Sequence, residues 1–163
     1  AAAATSATRT AATRTTTTTA LVPHRARGYV WRDSVYANAT ELVAIRPSGA
    51  FLSTVLDLAK WDATLYGDRV LSRASRDAMW QPTLLSGRDT SFYGFGWEIE
   101  EIPGHRYVGH GGSLPGFLSS LARFVDDSLT IIVLTNASAS RPYDAAMDVA
   151  RIYFSMEPRR PRP

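Results

Sequence analysis

Hydrophobic positions recur along this chain with two different periods, and a helical period predicts three helices. Their predicted spans are residues 54–66, 72–81 and 142–154. In the first helix, Ser53 or Thr54 is placed to act as the N-cap and Gly67 as the C-terminal stop. A proline ends the second helix and another begins the third, since proline fits the first turn of a helix but not its interior. The faces expected to pack are Val55, Leu58, Trp61 and Leu65 in the first helix and Tyr143, Met147, Ala150 and Phe154 in the third.

A period of two predicts strands between these helices. Their predicted spans are residues 93–99, 106–110, 118–125 and 129–136. The first is expected to be half-buried, with one face formed by Tyr93, Phe95, Trp97 and Ile99. Asp126-Asp127 is the expected turn between the last two strands, and the apolar run 131–134 indicates a strand covered on both faces. Helices and strands in this order predict an α+β domain.

Composition changes abruptly at both ends of the chain. Residues 1–24 form a low-complexity stretch rich in Ala and Thr, with too little apolar surface to offset the entropy of ordering, so we expect disorder there. Residues 157–163 form a Pro/Arg tail of the same character. The expected globular domain therefore covers residues 25–156.

The distribution of charge argues against a nucleic-acid partner. The net charge is +3, but seven of the 18 basic residues lie in the tails. Residues 28–154 contain 11 basic and 14 acidic residues, a net charge of −3, which leaves no basic face to follow phosphates. No apolar run approaches the roughly 18 residues of a membrane-spanning helix, so no membrane span is expected.

Neither a cofactor nor a metal is expected. The chain has no cysteine, which excludes thiolate ligands and disulfides and leaves the cellular compartment undetermined. His105 and His110 are an odd number of residues apart on a predicted strand, so they should point to opposite faces and not form a metal pair.

The sharpest motif is Gly109-His110-Gly111-Gly112-Ser113, at the point where a predicted strand gives way to a turn over residues 114–117. Glycines at such a place allow another backbone or a substrate to approach closely. Taken alone, the motif also fits a glycine-rich hairpin that happens to contain a histidine.

The surrounding segments resemble, in order and spacing, the C-terminal half of the family that holds class C β-lactamases, D-Ala-D-Ala carboxypeptidases and related esterases. The segments are Arg25-Ala26-Arg27-Gly28-Tyr29, Ser48-Gly49-Ala50-Phe51-Leu52-Ser53-Thr54, Asp57-Leu58-Ala59-Lys60-Trp61, Tyr93-Gly94-Phe95-Gly96-Trp97, His110-Gly111-Gly112 and Ile132-Val133-Leu134-Thr135-Asn136. The resemblance implies the C-terminal part of a β-lactamase/transpeptidase-like fold, an antiparallel sheet with flanking helices. It also implies hydrolysis of β-lactams, D-amino-acid peptides or esters through an acyl-enzyme, in proteins that are often periplasmic or secreted.

The resemblance also implies three active-site elements: a Ser-x-x-Lys nucleophile motif, a Tyr-x-Asn motif, and a Lys-Thr-Gly or His-x-Gly strand. Under it, His110 stands for the lysine of that strand and Gly112 is the small residue at the substrate edge. Gly111 lies between them as part of the substrate-binding strand. The backbone N–H of Ser113 is one donor of the oxyanion hole, and the second belongs to the nucleophilic serine.

The nucleophile motif is not found in this sequence. Lys60 is the only lysine, and the residue three positions before it is Asp57. Tyr36-Ala37-Asn38 matches Tyr-x-Asn but follows a segment that it precedes in the family, so we interpret it as a coincidence. Ser113 does not complete a nucleophile elbow, because Pro115 occupies the position of the last glycine.

Three hypotheses remain open. In the first, the chain is a hydrolase fragment, inactive alone, whose partner is the missing N-terminal half or a second copy of itself. In the second, it is a pseudoenzyme or peptide-binding module that uses the edge of the His110 strand. In the third, it is a decayed fragment with no function of its own. An upstream reading frame that encodes Ser-x-x-Lys would favour the first hypothesis.

Overall fold

The computed structural model describes residues 22–40, 49, 51–87 and 89–156. Most of the tail predicted over residues 1–24, and all of 157–163, therefore lie outside the described residues. The strands are β1 (Tyr29–Arg32), β2 (Val35–Asn38), β3 (Thr83–Leu84), β4 (Thr90–Ser91), β5 (Glu98–Ile102), β6 (His105–Leu114), β7 (Phe117–Phe124) and β8 (Leu129–Thr135). The helices are α1 (Val55–Thr64), α2 (Arg73–Met79) and α3 (Pro142–Tyr153).

The central element is a four-stranded antiparallel sheet with the order β5-β6-β7-β8. Because side chains alternate along each strand, the sheet builds two cores. On the face that α3 covers, here called the α3 face, the buried side chains include Tyr107, Phe124 and Met147. On the other face, here called the α1–α2 face, they include Val108 and Trp97. The result is an α+β fold, as the sequence predicts.

The three helices are confirmed close to their predicted bounds. Thr54 is the N-cap of α1 and accepts from the Asp57 N–H, and Ser72 caps α2 in the same way. Helix α3 begins at Pro142 and buries Met147. The run 131–134 lies in β8, which contacts α3 on one face and α1 on the other.

The strand predicted over residues 93–99 is wrong for residues 93–97, and only its last two residues lie in a strand. Strand β5 begins only at Glu98, and the residues before it form a loop in which the Gly94 N–H donates to the Trp97 carbonyl at 2.8 Å. Gly96 has a φ of 78°, a left-handed conformation that breaks the alternation. Trp97 is therefore buried, whereas Phe95, expected on the same face, is 76% exposed.

Strand β6 is longer than predicted and runs through the glycine motif to Leu114. A two-residue turn, Pro115-Gly116, joins it to β7, and Gly116 adopts a φ of 77°. Proline followed by a glycine at positive φ is typical of a type II turn. The β1–β2 hairpin, which was not predicted, packs against this turn: a Cβ on Gly116 would lie 2.5 Å from that of Ala39.

A fully buried arginine ties α1 to the sheet. The Nε of Arg123, on β7, donates to the carboxylate of Asp62, on α1, and both residues are buried. The guanidinium carbon lies 4.8 Å from the centre of the Trp80 ring and 4.9 Å from that of Tyr66. Cation–π attraction and the ion pair offset part of the cost of removing this charge from water, and the two terminal guanidinium nitrogens are buried without a hydrogen-bond partner among the described residues.

Tyr107 occupies the centre of the α3 face with its hydroxyl buried. Its ring packs against Phe124 and Tyr143, and its Oη has no hydrogen-bond partner among the described residues. Burial, and to a smaller extent the nearby Glu98 carboxylate, raises the pKa of Tyr107 well above the usual range. Burial also raises the pKa of Tyr143, which donates to Glu100.

We predict that Asp62→Ala lowers the free energy of unfolding by about 3–5 kcal/mol, because it leaves a buried guanidinium without its carboxylate. Urea denaturation measures the loss. The matched control is Asp77→Ala, which removes an exposed partner of Arg73 at 3.7 Å and should cost less than about 1 kcal/mol. Equal losses in the two variants would contradict a stabilising role for the buried pair.

We predict that stability falls as pH rises above about 10, since unfolded Tyr107 can lose its proton there while folded Tyr107 cannot. The raised pKa therefore contributes stability below the unfolded pKa that disappears at higher pH. Tyr107→Phe should flatten this dependence, although Tyr143 retains a part of it. Urea unfolding between pH 8 and 11 tests the slope, and an identical slope in Tyr107→Phe would contradict the prediction.

Candidate active site

The glycine motif lies on a strand with one free edge. On its β5 side, β6 is paired from His105 to Gly109, where Glu98 is the last partner. On its β7 side, β6 is paired all the way to Leu114. Among the residues that the structure describes, no strand covers the β5-side edge of residues 110–114. An unpaired edge of this kind can accept an extended substrate as an additional strand.

The hairpin register decides which backbone groups this edge presents. A two-residue turn closes on a hydrogen-bonded pair, here Leu114 and Phe117, and such pairs alternate along an antiparallel ladder. His110 and Gly112 therefore bond to β7. The N–H and C=O groups of Gly111 and Ser113 point the other way, toward the free edge.

The side chains of the motif divide between the two faces of the sheet. His110 and Gly112 lie on the α1–α2 face, while Gly111 and Ser113 lie on the α3 face, because the period of a strand is two. Next to Ser113 is an open cavity of about 430 Å³. Its lining includes Glu98, Gly111, Ser113, Leu118, Arg141 and Tyr143.

The imidazole of His110 is held at both ring nitrogens. Its Nε2 lies 2.8 Å from the Tyr93 hydroxyl, and its Nδ1 contacts the Gly111 carbonyl oxygen at the free edge. The Tyr93 and His110 rings meet edge to face, with their centres 5.8 Å apart. Tyr93 was predicted as part of a strand face, and its contact with His110 was not foreseen. Its place in the Tyr93-Gly94-Phe95-Gly96-Trp97 segment was the only indication.

The other candidates from the sequence lie elsewhere. Lys60 pairs with Asp57 at 2.9 Å on the exposed surface of α1. Hydrogen bonds from Lys60 and Thr54 lower the pKa of Asp57 below its ordinary value. Tyr36 lies on β2, in the two-stranded sheet that β2 forms with β1, and its ring packs against Trp31.

His105 points to the face opposite His110, as predicted. It stacks on Phe154 and its Nδ1 lies 3.0 Å from the Asp127 carboxylate. Within the described part of the chain, no group of three or more His, Asp or Glu residues is placed to hold a metal ion. No helix among the described residues is long and apolar enough to cross a membrane.

An antiparallel sheet with helices on both faces, and with a Gly-Gly strand open at one edge, is the architecture of β-lactamase and transpeptidase-like proteins. A family model described as Beta-lactamase matches residues 2–153. The chain therefore belongs to the β-lactamase family of serine hydrolases.

Individual relatives agree with this assignment. Penicillin-binding protein 4* of Bacillus subtilis is 31% identical over 138 residues, which cover 77% of this chain and 31% of that protein. A D-aminopeptidase of Cereibacter sphaeroides is 33% identical over 82 residues, or 50% of this chain and 16% of the relative. The octameric penicillin-binding protein homologue from Pyrococcus abyssi has the same fold, with a TM-score of 0.72 at 24% identity, over 82% of this chain and 31% of that one. This chain spans less than a third of the length of each of these proteins.

We predict that a methyl group destabilises the fold at Gly109 but is tolerated at Gly111, although both glycines lie on β6. A Cβ on Gly109 would lie 2.2 Å from the Tyr107 Oη and 2.5 Å from the Leu121 carbonyl oxygen, whereas one on Gly111 would meet only an ordinary contact at 3.6 Å. Gly109→Ala should therefore lower the free energy of unfolding by about 1–3 kcal/mol or more. Gly111→Ala should change it by less than about 0.5 kcal/mol. Thermal unfolding of both variants tests this, and similar losses would contradict the described packing.

Proposed function

We propose that this chain supplies the substrate-binding strand of an acyl-transferring serine hydrolase, with residues 110–113 as its working part. The observation that carries the proposal is the free edge of β6, where the Ser113 N–H points outward on the same strand that carries His110. A substrate that lies along this edge adds a strand to the sheet, and its reacting carbonyl oxygen accepts from Ser113. His110 contacts the substrate from the α1–α2 face, and Gly112 keeps that face clear.

The chemistry follows from where negative charge develops. When a serine hydroxyl attacks the carbonyl carbon, the carbonyl oxygen gains charge, and a fixed N–H stabilises it more than it stabilises the ground state. A bond forms between the serine Oγ and the carbonyl carbon, and the bond from that carbon to the leaving nitrogen or oxygen breaks. The Oγ proton passes through the lysine of Ser-x-x-Lys to the leaving group, and water later hydrolyses the acyl-enzyme.

In this proposal the nucleophile is not supplied by residues 1–163 but by a preceding segment of the same protein or by a separate chain. Two features support it. Lys60, the only lysine, has no serine three positions before it, and β8 has an unpaired outer edge within the described residues. In addition, α3 has an exposed apolar surface, which is formed by Val149, Ile152 and Tyr153. A partner segment or a second copy of the chain can cover these surfaces, and the Pyrococcus abyssi homologue is itself octameric.

The substrate class is an amide or ester with an accessible carbonyl. Similarity to a D-aminopeptidase and to a penicillin-binding protein supports D-amino-acid peptides as the substrates of this chain. β-Lactams and simple esters are related acyl donors. An alternative function is that of a non-catalytic peptide-binding module, and the same free edge supports it, because strand addition needs no nucleophile.

We predict that the chain alone forms no acyl-enzyme with a fluorescent penicillin and hydrolyses neither a chromogenic cephalosporin nor a p-nitrophenyl ester above buffer. Addition of the Ser-x-x-Lys-bearing segment should restore ester or β-lactam hydrolysis. In that complex His110→Ala or Gly112→Trp should strongly reduce the rate. His24→Ala should not, because His24 is exposed and lies outside the glycine motif. Covalent labelling of the chain alone at any serine would contradict the proposal. Binding of a peptide without any rescue of hydrolysis would favour the binding module.

Ser113 offers a sharper test, because its backbone and its hydroxyl can be separated. Ser113→Pro removes the outward N–H but breaks no bond to β7, and should lower hydrolysis by the complex about 10²–10³-fold. Ser113→Ala keeps the N–H and should retain most of the rate. If Ser113→Ala were as damaging as Ser113→Pro, the hydroxyl and not the backbone would be the active group.

A further inference from the structure

We propose that Tyr93 is a positioning residue that holds the His110 imidazole in one orientation at the substrate edge, against the Gly111 carbonyl that sets its tautomer. This inference rests on the proposed function, since the value of a fixed His110 depends on the edge strand binding a substrate. Tyr93 acts through His110 and takes no part in bond making.

The hydrogen-bond partners determine the tautomer. A carbonyl oxygen only accepts, so the contact between His110 Nδ1 and the Gly111 carbonyl requires a proton on Nδ1. In the neutral ring Nε2 then carries a lone pair, and the Tyr93 hydroxyl, 2.8 Å away, donates to it. The Nδ1–H tautomer satisfies both contacts, while the Nε2–H tautomer places a lone pair against the carbonyl oxygen.

His110 needs such support because it is exposed and the next two residues on the strand, toward the turn, have no side chain to hold it. Its neighbours on either side are Gly109 and Gly111, and the next residue on the same face toward the turn is Gly112. The edge-to-face contact with Tyr93, at a ring-plane angle of 71°, blocks rotation of the imidazole on one side. Without that ring, the imidazole is tethered only by its contact with the adjacent carbonyl.

Tyr93 can do this because its own loop is anchored by two hydrogen bonds. The Thr83 hydroxyl donates to the Tyr93 carbonyl at 2.8 Å, and the Phe95 N–H donates to the Met79 carbonyl at 3.1 Å. A Cβ on Gly94 would lie 2.1 Å from the same Met79 oxygen, so only glycine fits there. The end of α2 therefore fixes the loop, and the loop fixes the tyrosine.

The test is the tautomer state of His110 in the full chain labelled with ¹⁵N. The chain has three histidines, and the resonances that disappear in His110→Ala identify the right one. In long-range ¹H–¹⁵N spectra above pH 8, wild-type Nδ1 should show the shift of a protonated nitrogen and Nε2 that of an unprotonated one. In Tyr93→Phe the imidazole loses this support and turns away from the Gly111 carbonyl more often, so the ratio of Nδ1–H to Nε2–H should fall roughly five- to tenfold, the equivalent of about one hydrogen bond.

The control is Tyr153→Phe, which removes a hydroxyl from the exposed side of α3 and should leave the His110 resonances unchanged. A wild-type Nε2–H tautomer, or an unchanged ratio in a folded Tyr93→Phe variant, would overturn the proposal. The wild-type spectrum decides the tautomer even if the variant fails to fold.

A double-mutant cycle in the complex with the Ser-x-x-Lys-bearing segment separates this inference from the proposed function. Tyr93→Phe should lower kcat/KM roughly tenfold when His110 is present and less than about twofold in a His110→Ala background. If His110→Ala leaves kcat/KM unchanged, the proposed function fails. If His110→Ala is impaired but the two effects multiply, the proposed function stands and Tyr93 does not act through His110.

Discussion

The two-residue turn at Pro115-Gly116 sets the register on which the candidate site depends. A tight turn leaves no freedom in how β6 pairs with β7, and each pairing step fixes both the face of a side chain and the direction of a backbone group. A shift by one residue would move His110 to the α3 face and turn the Ser113 N–H toward β7. The turn is itself held from outside, because Gly28 and Ala39 of the β1–β2 region lie directly against Gly116.

The position of the exposed His110 side chain also depends on the buried Arg123–Asp62 ion pair. Arg123 and Asp62 fix α1 on the sheet, and the Arg123 guanidinium lies over Trp80, the C-cap of α2. Trp80 follows Met79, whose carbonyl anchors the loop that carries Tyr93. Damage to the buried pair is therefore expected to loosen His110, although the two sites share no direct contact.

Residue pattern alone was sufficient for the elements whose side chains obey one dominant constraint. Helices α1 and α2 have side-chain caps, α3 begins at a proline, and β8 contains a continuous apolar run, so local signals set the bounds of these elements. The loop before β5 was mispredicted because its aromatic residues alternate for different reasons: Trp97 fills the core, while Tyr93 meets a histidine 17 residues away. The burial of Arg123 could not be predicted from the sequence either, because its partners come from the distant segments around α1 and α2. Which N–H groups face the free edge depends on the hairpin turn, a feature of register that residue types do not encode.

Because Gly111 has no side chain, β6 leaves free space on the α3 face at the point where it borders the cavity. A Cβ there would meet little, so the space beside the strand is open on the side away from His110. An inhibitor designed for this edge can be elaborated in two directions, toward the imidazole on one face and toward the cavity lined by Tyr143 and Arg141 on the other. An added group that enters the cavity could make such a compound selective. A homologue with a larger residue in place of Gly111 would exclude that group.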